Sequence, residues 1–202
     1  MDMRIKYIFC FLFIFIGAYA FATFQTPDRL IYNGRRYLLY NPHFENEYPM
    51  GGSPMENYFY RFPEKRPKKW DTGLYRGYIA TFEIIENELW VIDIQTRSSD
   101  SIIEECLDGK SKMKIDWYNG LLLLPIYGFY SDDYKLLEIE NGNFIREIDL
   151  LNEHYFIYRD IQNELLKRPR SYLRIINKKK YMGLPSELLD YFKNVYNRRF
   201  SK

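Results

Sequence analysis

Apolar and polar positions alternate with a period of two in short runs as far as Leu150, and beyond it the period lengthens to about three and a half. Arg29 to Tyr40 reads RLIYNGRRYLLY, two β-prone stretches around Asn33-Gly34, the pair that tolerates the positive φ angles of a type I′ turn. The same grammar returns around Asn141-Gly142, between Leu136 to Glu140 and Asn143 to Leu150. It appears again around Asn87 in TFEIIENELWVIDI, and more loosely around Asn119-Gly120 in IDWYNGLLLLP. These turns predict an antiparallel meander of hairpins. Leu121 to Leu124 is apolar at every position, which predicts a central strand covered on both faces. FEIIENELWVIDI and LEIENGNFIREIDL look alike, but shared hairpin geometry accounts for the likeness without an internal repeat.

Helices are expected in two places. Ser53-Pro54-Met55-Glu56 has the residues of a capping box, with Ser53 as N-cap, Pro54 at the first helical position and Glu56 at the third. A short helix should follow, with Met55, Tyr58, Phe59 and Phe62 on one face, until Pro63 ends it and Glu64 to Lys69 forms an exposed connector. Past Leu150, Tyr155, Tyr158, Ile161 and Leu165 mark an amphipathic helix. Pro169 interrupts it, Tyr172 to Ile176 continues the pattern, and a last helix after Gly183-Leu184-Pro185-Ser186 turns Leu188, Leu189, Phe192, Val195 and Tyr196 inward. Strands first and helices last is the order of an α+β fold. The expected architecture is an antiparallel meander sheet with a short early helix and amphipathic helices at the C-terminal end.

The head of the chain, MDMRIKYIFCFLFIFIGAYAFA, has the parts of a secretory signal: Arg4 and Lys6, an apolar stretch from Tyr7 to Gly17, then small residues at A-x-A spacing. Cleavage is expected after Ala20 or Ala22. The expected division is a signal peptide at 1–22 and a single α+β domain at 23–202, hairpin-rich over 26–150 and helical over 151–202. The rival is an uncleaved anchor at residues 5–24, whose apolar length approaches the roughly 18 residues of a spanning helix. Cys10 lies inside the apolar run, where it does not suit lipid attachment. Removal of the head leaves Cys106 as the one thiol, with no intramolecular disulfide to make. A small, partly buried side chain is the expectation for it.

Net charge is only +2, yet it is polarised. From Arg159 onward 12 Lys plus Arg face 4 Asp plus Glu, a surplus of eight cations; the rest of the chain has 17 against 23, a surplus of six acids. A basic end attracts an acidic partner, anionic lipid heads or phosphate polymers, though solvated helix faces would give the same count. Export removes nucleic acid from that set. The abundance of 20 Tyr and 15 Phe accompanies abundant Lys, Asn and Ile, a composition that AT-rich coding produces without a stacking surface.

His43 and His154 are the only histidines, and neither has a second ligand at zinc spacing. There is no G-x-S-x-G elbow, P-loop or dinucleotide fingerprint. Paired acids carry no fixed motif, so Asp132-Asp133 and Glu104-Glu105 stay open to carboxylate chemistry, although neighbours on a strand point to opposite faces and solvation explains them. Ser98-Ser99-Asp100-Ser101 reads as a loop. Tyr75-Arg76-Gly77-Tyr78 sets a cation among aromatics, which suits cation–π packing, an internal ion pair or a ligand-gripping arginine.

The succession TPDRLIYNG, PMENYF, LYRGYIATFEI with LWVIDI, DWYNG and an LEIENG hairpin resembles a family of uncharacterised exported bacterial proteins, over most of Thr26 to Leu150. That family has no assigned activity, cofactor or catalytic residue to carry over. Its members run an Asn-Pro directly into the aromatic helix, whereas here His43 to Ser53 separates Asn41-Pro42 from Pro54, as an insertion would.

The functional expectation is an exported, periplasmic or secreted bacterial protein that binds a partner without catalysis, of immunity type or an envelope interaction protein. The candidate partner-binding residues are Arg76, Lys178, Lys179 and Lys180. No cofactor, metal or catalytic residue is assigned. The partner expected is a protein or an anionic envelope component, with weak membrane-surface contact and no nucleic acid. Alternatives are a carboxylate-dependent envelope hydrolase and a protein held at the membrane by its N-terminal helix.

Overall fold

The structure is a computed structural model that describes residues 26–39, 53–68, 73–126, 133–167 and 183–200, with the side chains of 162–167 and 195–200 outside that description. The N-terminal head, His43, Asp132, Lys178, Lys179 and Lys180 also lie outside the described residues. The described chain combines a mostly antiparallel sheet of eight strands with helices. Strands β1 (Asp28–Tyr32), β2 (Arg35–Leu39), β3 (Ile79–Ile85) and β4 (Glu88–Gln95) come first, then β5 (Met113–Lys114), β6 (Gly120–Pro125), β7 (Asp133–Glu140) and β8 (Asn143–Leu151). Helices α1 (Glu56–Arg61) and α2 (Ile103–Cys106) interrupt the strands, while α3 (Asn152–Lys167) and α4 (Ser186–Phe200) follow them.

Three of the expected hairpins form, at Asn33-Gly34, Glu86-Asn87 and Asn141-Gly142. Both central residues of each turn have positive φ, as a type I′ turn requires. The fourth does not form. β5 pairs with β4, not with β6, and Asn119 instead docks its amide on the Asn141 turn, accepting the Asn141 N–H at 2.9 Å.

Nor is the sheet a simple meander. Its order is β2-β1-β3-β4-β8-β7-β6 with β5 on β4, and β1 runs parallel to β3. A chain that leaves β2 and returns through α1 re-enters beside β1 in the same direction, which local periodicity does not encode.

The two halves of the sheet meet at one corner. β4 and β8 share the single pair Glu88 and Asn143, flanked by Leu89 N–H to the Gly142 carbonyl at 2.8 Å and Phe144 N–H to the Asn87 carbonyl at 2.7 Å. Ile115 N–H donates to Leu89 and Gly142 N–H to Tyr118, so the segment before β6 threads between two hairpin turns. At the other end β2 and β6 lie against each other without pairing among the described residues, so the sheet curls.

Apolar side chains fill both sides of the β6–β8 half. Leu122, Leu124, Leu137 and Ile139 face inward with Leu30, Phe82, Leu89, Val91 and the buried residues of α1 and α2. Leu123, Leu136, Ile148 and Leu150 face α3 and α4, against Tyr158, Ile161, Leu188 and Phe192. The all-apolar run before Pro125 is thus covered on both faces as expected, although β6 ends the hydrogen-bonded order instead of lying at its centre.

Gly142 has φ +72°, and an added Cβ would collide with the Ile115 carbonyl. Gly34 has φ +71° with nothing within 4 Å. Gly34→Ala therefore costs only the left-handed backbone penalty of roughly 1–2 kcal/mol. Gly142→Ala adds the displacement of the β4–β8 corner and should cost on the order of 4 kcal/mol. Chemical denaturation of both variants checks the ranking, and equal losses would refute the corner's role.

Candidate functional site

Two polar groups lie deep beneath the parallel pair. Asp28 opens β1 at 3% exposure, and Arg76, at 5%, sits in the turn that leads to β3. Arg76 Nη1 donates to Asp28 Oδ2 at 2.8 Å, and its Nη2 donates to the Thr26 carbonyl at 3.1 Å. Asp28 Oδ1 accepts the Ala80 N–H at 2.9 Å, and the guanidinium lies 5.1 Å from the Tyr78 ring centroid. The ion pair and the cation–π contact are therefore both formed. Burial works against the charged guanidinium, yet Asp28 and its neighbours leave the Arg76 pKa raised.

The network continues through Tyr78, which is fully buried and donates its hydroxyl to Glu56 Oε1 at 2.7 Å. Burial, then the Glu56 charge, pushes the Tyr78 phenol well above its usual range. Glu56 also accepts two hydrogen bonds from Arg66, at 3.0 and 3.2 Å. This engagement explains why the expected capping box does not form. The Glu56 carboxylate turns to Tyr78 and Arg66, whose charged donor outcompetes a backbone amide. Ser53 caps only a preceding turn, its Oγ accepting Met55 N–H at 3.3 Å, and α1 begins at Glu56.

Helix α1 is pinned on its other side as well. Tyr58 stacks on Trp117 at 5.7 Å and gives its hydroxyl to the Cys106 carbonyl at 3.0 Å, while Phe59 packs on Tyr78 at 4.8 Å. Trp117 Nε1 donates to the Pro54 carbonyl at 2.9 Å. Lys65 pairs with Asp108 and hangs 5.0 Å over the Phe62 ring. Met55, Tyr58 and Phe59 are buried as the helical spacing predicts, but Phe62 is not.

On this braced base the outward side chains are large. Tyr60 is 76% exposed, Tyr75 77% and Phe62 40%, with Arg61 also at the surface. Neither Tyr60 nor Tyr75 is among the candidate binding residues that the sequence singles out. The available signal was their phase: Tyr60 falls off the 55/58/59 face, and Tyr75 is odd in parity to the buried Arg76 and Tyr78. Arg76 itself is buried and immediately follows Tyr75 in the same turn. The candidate basic run Lys178 to Lys180 cannot be placed relative to it, being outside the described residues.

The other polar candidates occupy ordinary positions. Glu104 and Glu105 are exposed on α2, Asp133 opens β7, Ser98 lies in a turn closed by Ser99 N–H on the Thr96 carbonyl, and Ser101 bridges to Gln95 with its Oγ donating to Asp93 at 2.7 Å. On β7 and β8, Lys135 bridges Glu147 and Asp149. His154 Nε2 lies 3.7 Å from Glu153, and its Nδ1 is buried without a hydrogen-bond partner. Among the described residues, no group of three His, Cys, Asp or Glu is placed to hold a metal, and no helix is long and apolar enough to cross a membrane.

Removing one partner of the buried pair leaves the other charge without compensation in the interior. Arg76→Met or Asp28→Leu alone should cost roughly 3–5 kcal/mol, and the double replacement clearly less than the sum. A denaturation double-mutant cycle measures this, and additive losses would contradict the pairing.

Burial also raises the Cys106 thiol to about 11 from an ordinary value near 9.0. The folded state therefore holds the proton more tightly than the unfolded chain. The stability this confers is complete below pH 9 and is lost as pH rises toward 11. Cys106→Ala should flatten the alkaline fall in the unfolding midpoint, and an unaltered slope would exclude this thiol as a contributor.

Compared with protein-family models, curated proteins and solved structures, this chain matches none.

Proposed function

We propose that this chain is an exported bacterial protein that acts by binding a macromolecular partner, of immunity type or an envelope interaction protein, and that it performs no catalysis. One observation supports the reading above others. Tyr60 and Tyr75 are each more than three-quarters exposed while the elements that carry them are fixed by a buried ion pair, a ring stack and a bidentate carboxylate. Tyrosine brings a large amphipathic contact area with few rotors to freeze, which is why it dominates interface hot spots. A rigid platform lowers the ordering cost of association further.

In this reading Arg76 serves from beneath, by holding the base under Tyr75. The basic surplus after Arg159, with Lys178, Lys179 and Lys180, steers encounter with an anionic partner or envelope surface over distances set by ionic strength. The N-terminal head directs export and is removed, leaving the folded body outside the cytoplasm.

The test has two parts. N-terminal sequencing of the protein from the cell envelope should begin at Phe21 or Thr23. A start at Met1 with release only by detergent would replace export by anchoring. Partner capture with the mature chain should then depend on the exposed tyrosines. Tyr60→Ala and Tyr75→Ala should each weaken the captured complex by about 2 kcal/mol, close to thirtyfold, with an unchanged melting temperature. Undiminished capture by both variants would remove this surface from the binding function.

A further inference from the structure

We propose that Asn33 is a self-modification site, where the chain deamidates through a cyclic imide with Gly34 and thereby loosens the β1–β2 hairpin. Asn-Gly is the dipeptide least hindered in that reaction, because glycine puts no side chain beside the attacking nitrogen. The chain has three such pairs, Asn33-Gly34, Asn119-Gly120 and Asn141-Gly142. Their surroundings separate them.

Ring closure brings the Gly amide nitrogen onto the Asn Cγ. In a type I′ turn the Asn ψ is about 30°, and turning over the central peptide carries it to about −120°, the type II′ value, close to what a five-membered imide requires. The flanking residues pair in the same way in both turn types, so the ladder survives the flip. Asn33 (φ 49°) and Gly34 (φ 71°) are both exposed, and nothing lies within 4 Å of where a Gly34 Cβ would stand. Among the described residues no backbone hydrogen bond holds the Gly34 N–H, and the Asn33 side chain is tied only by donating to the Tyr32 hydroxyl.

Asn141-Gly142 has the same turn at φ 49° and 72°, but its central peptide is held on both sides. Gly142 N–H donates to the Tyr118 carbonyl at 3.0 Å, and the Asn141 carbonyl accepts Asn143 Nδ2 at 3.2 Å. The side chains are clasped as well: Asn119 Nδ2 donates to Asn141 Oδ1 at 3.3 Å, and Asn141 N–H donates to Asn119 Oδ1 at 2.9 Å. That clasp occupies the Asn119 amide too, while Gly120 is paired in the ladder opposite Ile139. These two pairs therefore react only when the corner opens.

At Asn33, hydroxide or a buffer base removes the Gly34 amide proton, and the nitrogen attacks Cγ. The new C–N bond forms as Nδ2 leaves with a proton, as ammonia. Water then opens the imide. Breaking the bond to Cγ leaves aspartate; breaking the bond to the α-carbonyl leaves isoaspartate, with an extra methylene in the main chain. Either product sets a carboxylate beside Tyr32, whose hydroxyl already donates to Glu147, and the neighbouring cation Lys135 is already engaged by Glu147 and Asp149. Isoaspartate also lengthens a two-residue turn, so the Tyr32 and Arg35 pair loses its register.

The test incubates the purified chain at mildly alkaline pH, folded and in urea, and follows deamidation by peptide mass. Trypsin separates the three pairs into Leu30–Arg35, Ile115–Lys135 and Leu136–Arg146. In the folded chain Leu30–Arg35 should convert at least about tenfold faster than the other two, and in urea the three rates should converge. Equal rates in the folded chain, or a folded Leu30–Arg35 that stays intact while the urea sample converts, would overturn the assignment. The same ranking in urea would also overturn it, by tracing the difference to neighbouring sequence. The converted fraction, separated by its added negative charge, should melt below the unreacted chain; an equal melting temperature would refute the loosening of the hairpin.

Discussion

A carboxylate and a guanidinium taken out of water at the foot of β1 constrain the rest of this molecule. Desolvating Asp28 and Arg76 costs several kcal/mol per ion, and only close, saturated hydrogen bonding offsets that. The geometry supplies it: one carboxylate oxygen receives Arg76, the other receives the Ala80 amide, and the guanidinium also reaches the Thr26 carbonyl. The bonds to Ala80 and Arg76 cross from β1 to β3 and its leading turn, so they fix the register of a parallel pair that is only three residues long. A parallel pair so short has little hold of its own; the ions give it one preferred alignment. Through Tyr78 the same network passes to Glu56 and Arg66, so the seat of α1 and the register of β1 are set together.

The second constraint lies across the sheet, where the two halves share one residue pair and a glycine. Gly142 must have no side chain because the Ile115 carbonyl occupies the place a Cβ would take. The joint is small, but each half is stabilised separately. One packs around α1 and α2; the other is closed on its outer face by α3 and α4. Arg146 ties that outer layer down by pairing with buried Glu138 at 2.7 Å and donating to the Glu187 carbonyl at 2.9 Å. The fold therefore has two apolar layers sharing one set of strands, which is why Leu121 to Leu124 and Leu136-Leu137 show no alternation.

What the sequence made legible was whatever a few neighbouring residues decide. Asn33-Gly34 and Asn141-Gly142 fix their turns because those residues tolerate positive φ, and the helical spacing of Tyr158 and Ile161 records which face meets a sheet. What it hid depends on partners far along the chain. Asp28 and Arg76 are 48 positions apart, so nothing near Arg76 distinguishes an internal brace from a ligand grip. The capping box at Ser53 failed for the same reason: Glu56 satisfies the local pattern but answers to Arg66, ten residues on, and Tyr78, 22 residues on. Asn119-Gly120 has hairpin composition, yet its amide is used to dock a different turn. The candidate surface was half visible, since the phase of Tyr60 and Tyr75 separates them from the core residues around them. Their support was not visible at all.

The coupling between brace and surface bears on what kind of binding this fold favours. A loop carrying two exposed tyrosines would lose conformational entropy on association, and each ordered side chain would take back part of the contact energy. Here the ordering has already occurred during folding. Tyr60 follows the buried Tyr58 and Phe59 on one short helix, and Tyr75 precedes the buried Arg76 on one turn. Neither can relocate without disturbing a buried charge or a stacked ring. Such a surface discriminates by shape and charge position and adapts little, unlike methionine-rich surfaces that repack around many partners. Its stability cost is also specific: large apolar rings stay in water and an ion pair stays in the interior, both against the usual distribution of residue types. Departures from that distribution concentrate where a fold is shaped by something besides its own stability. In this molecule several of them occur on α1 and in the turn before β3, which is the ground for the proposed location of an interaction there.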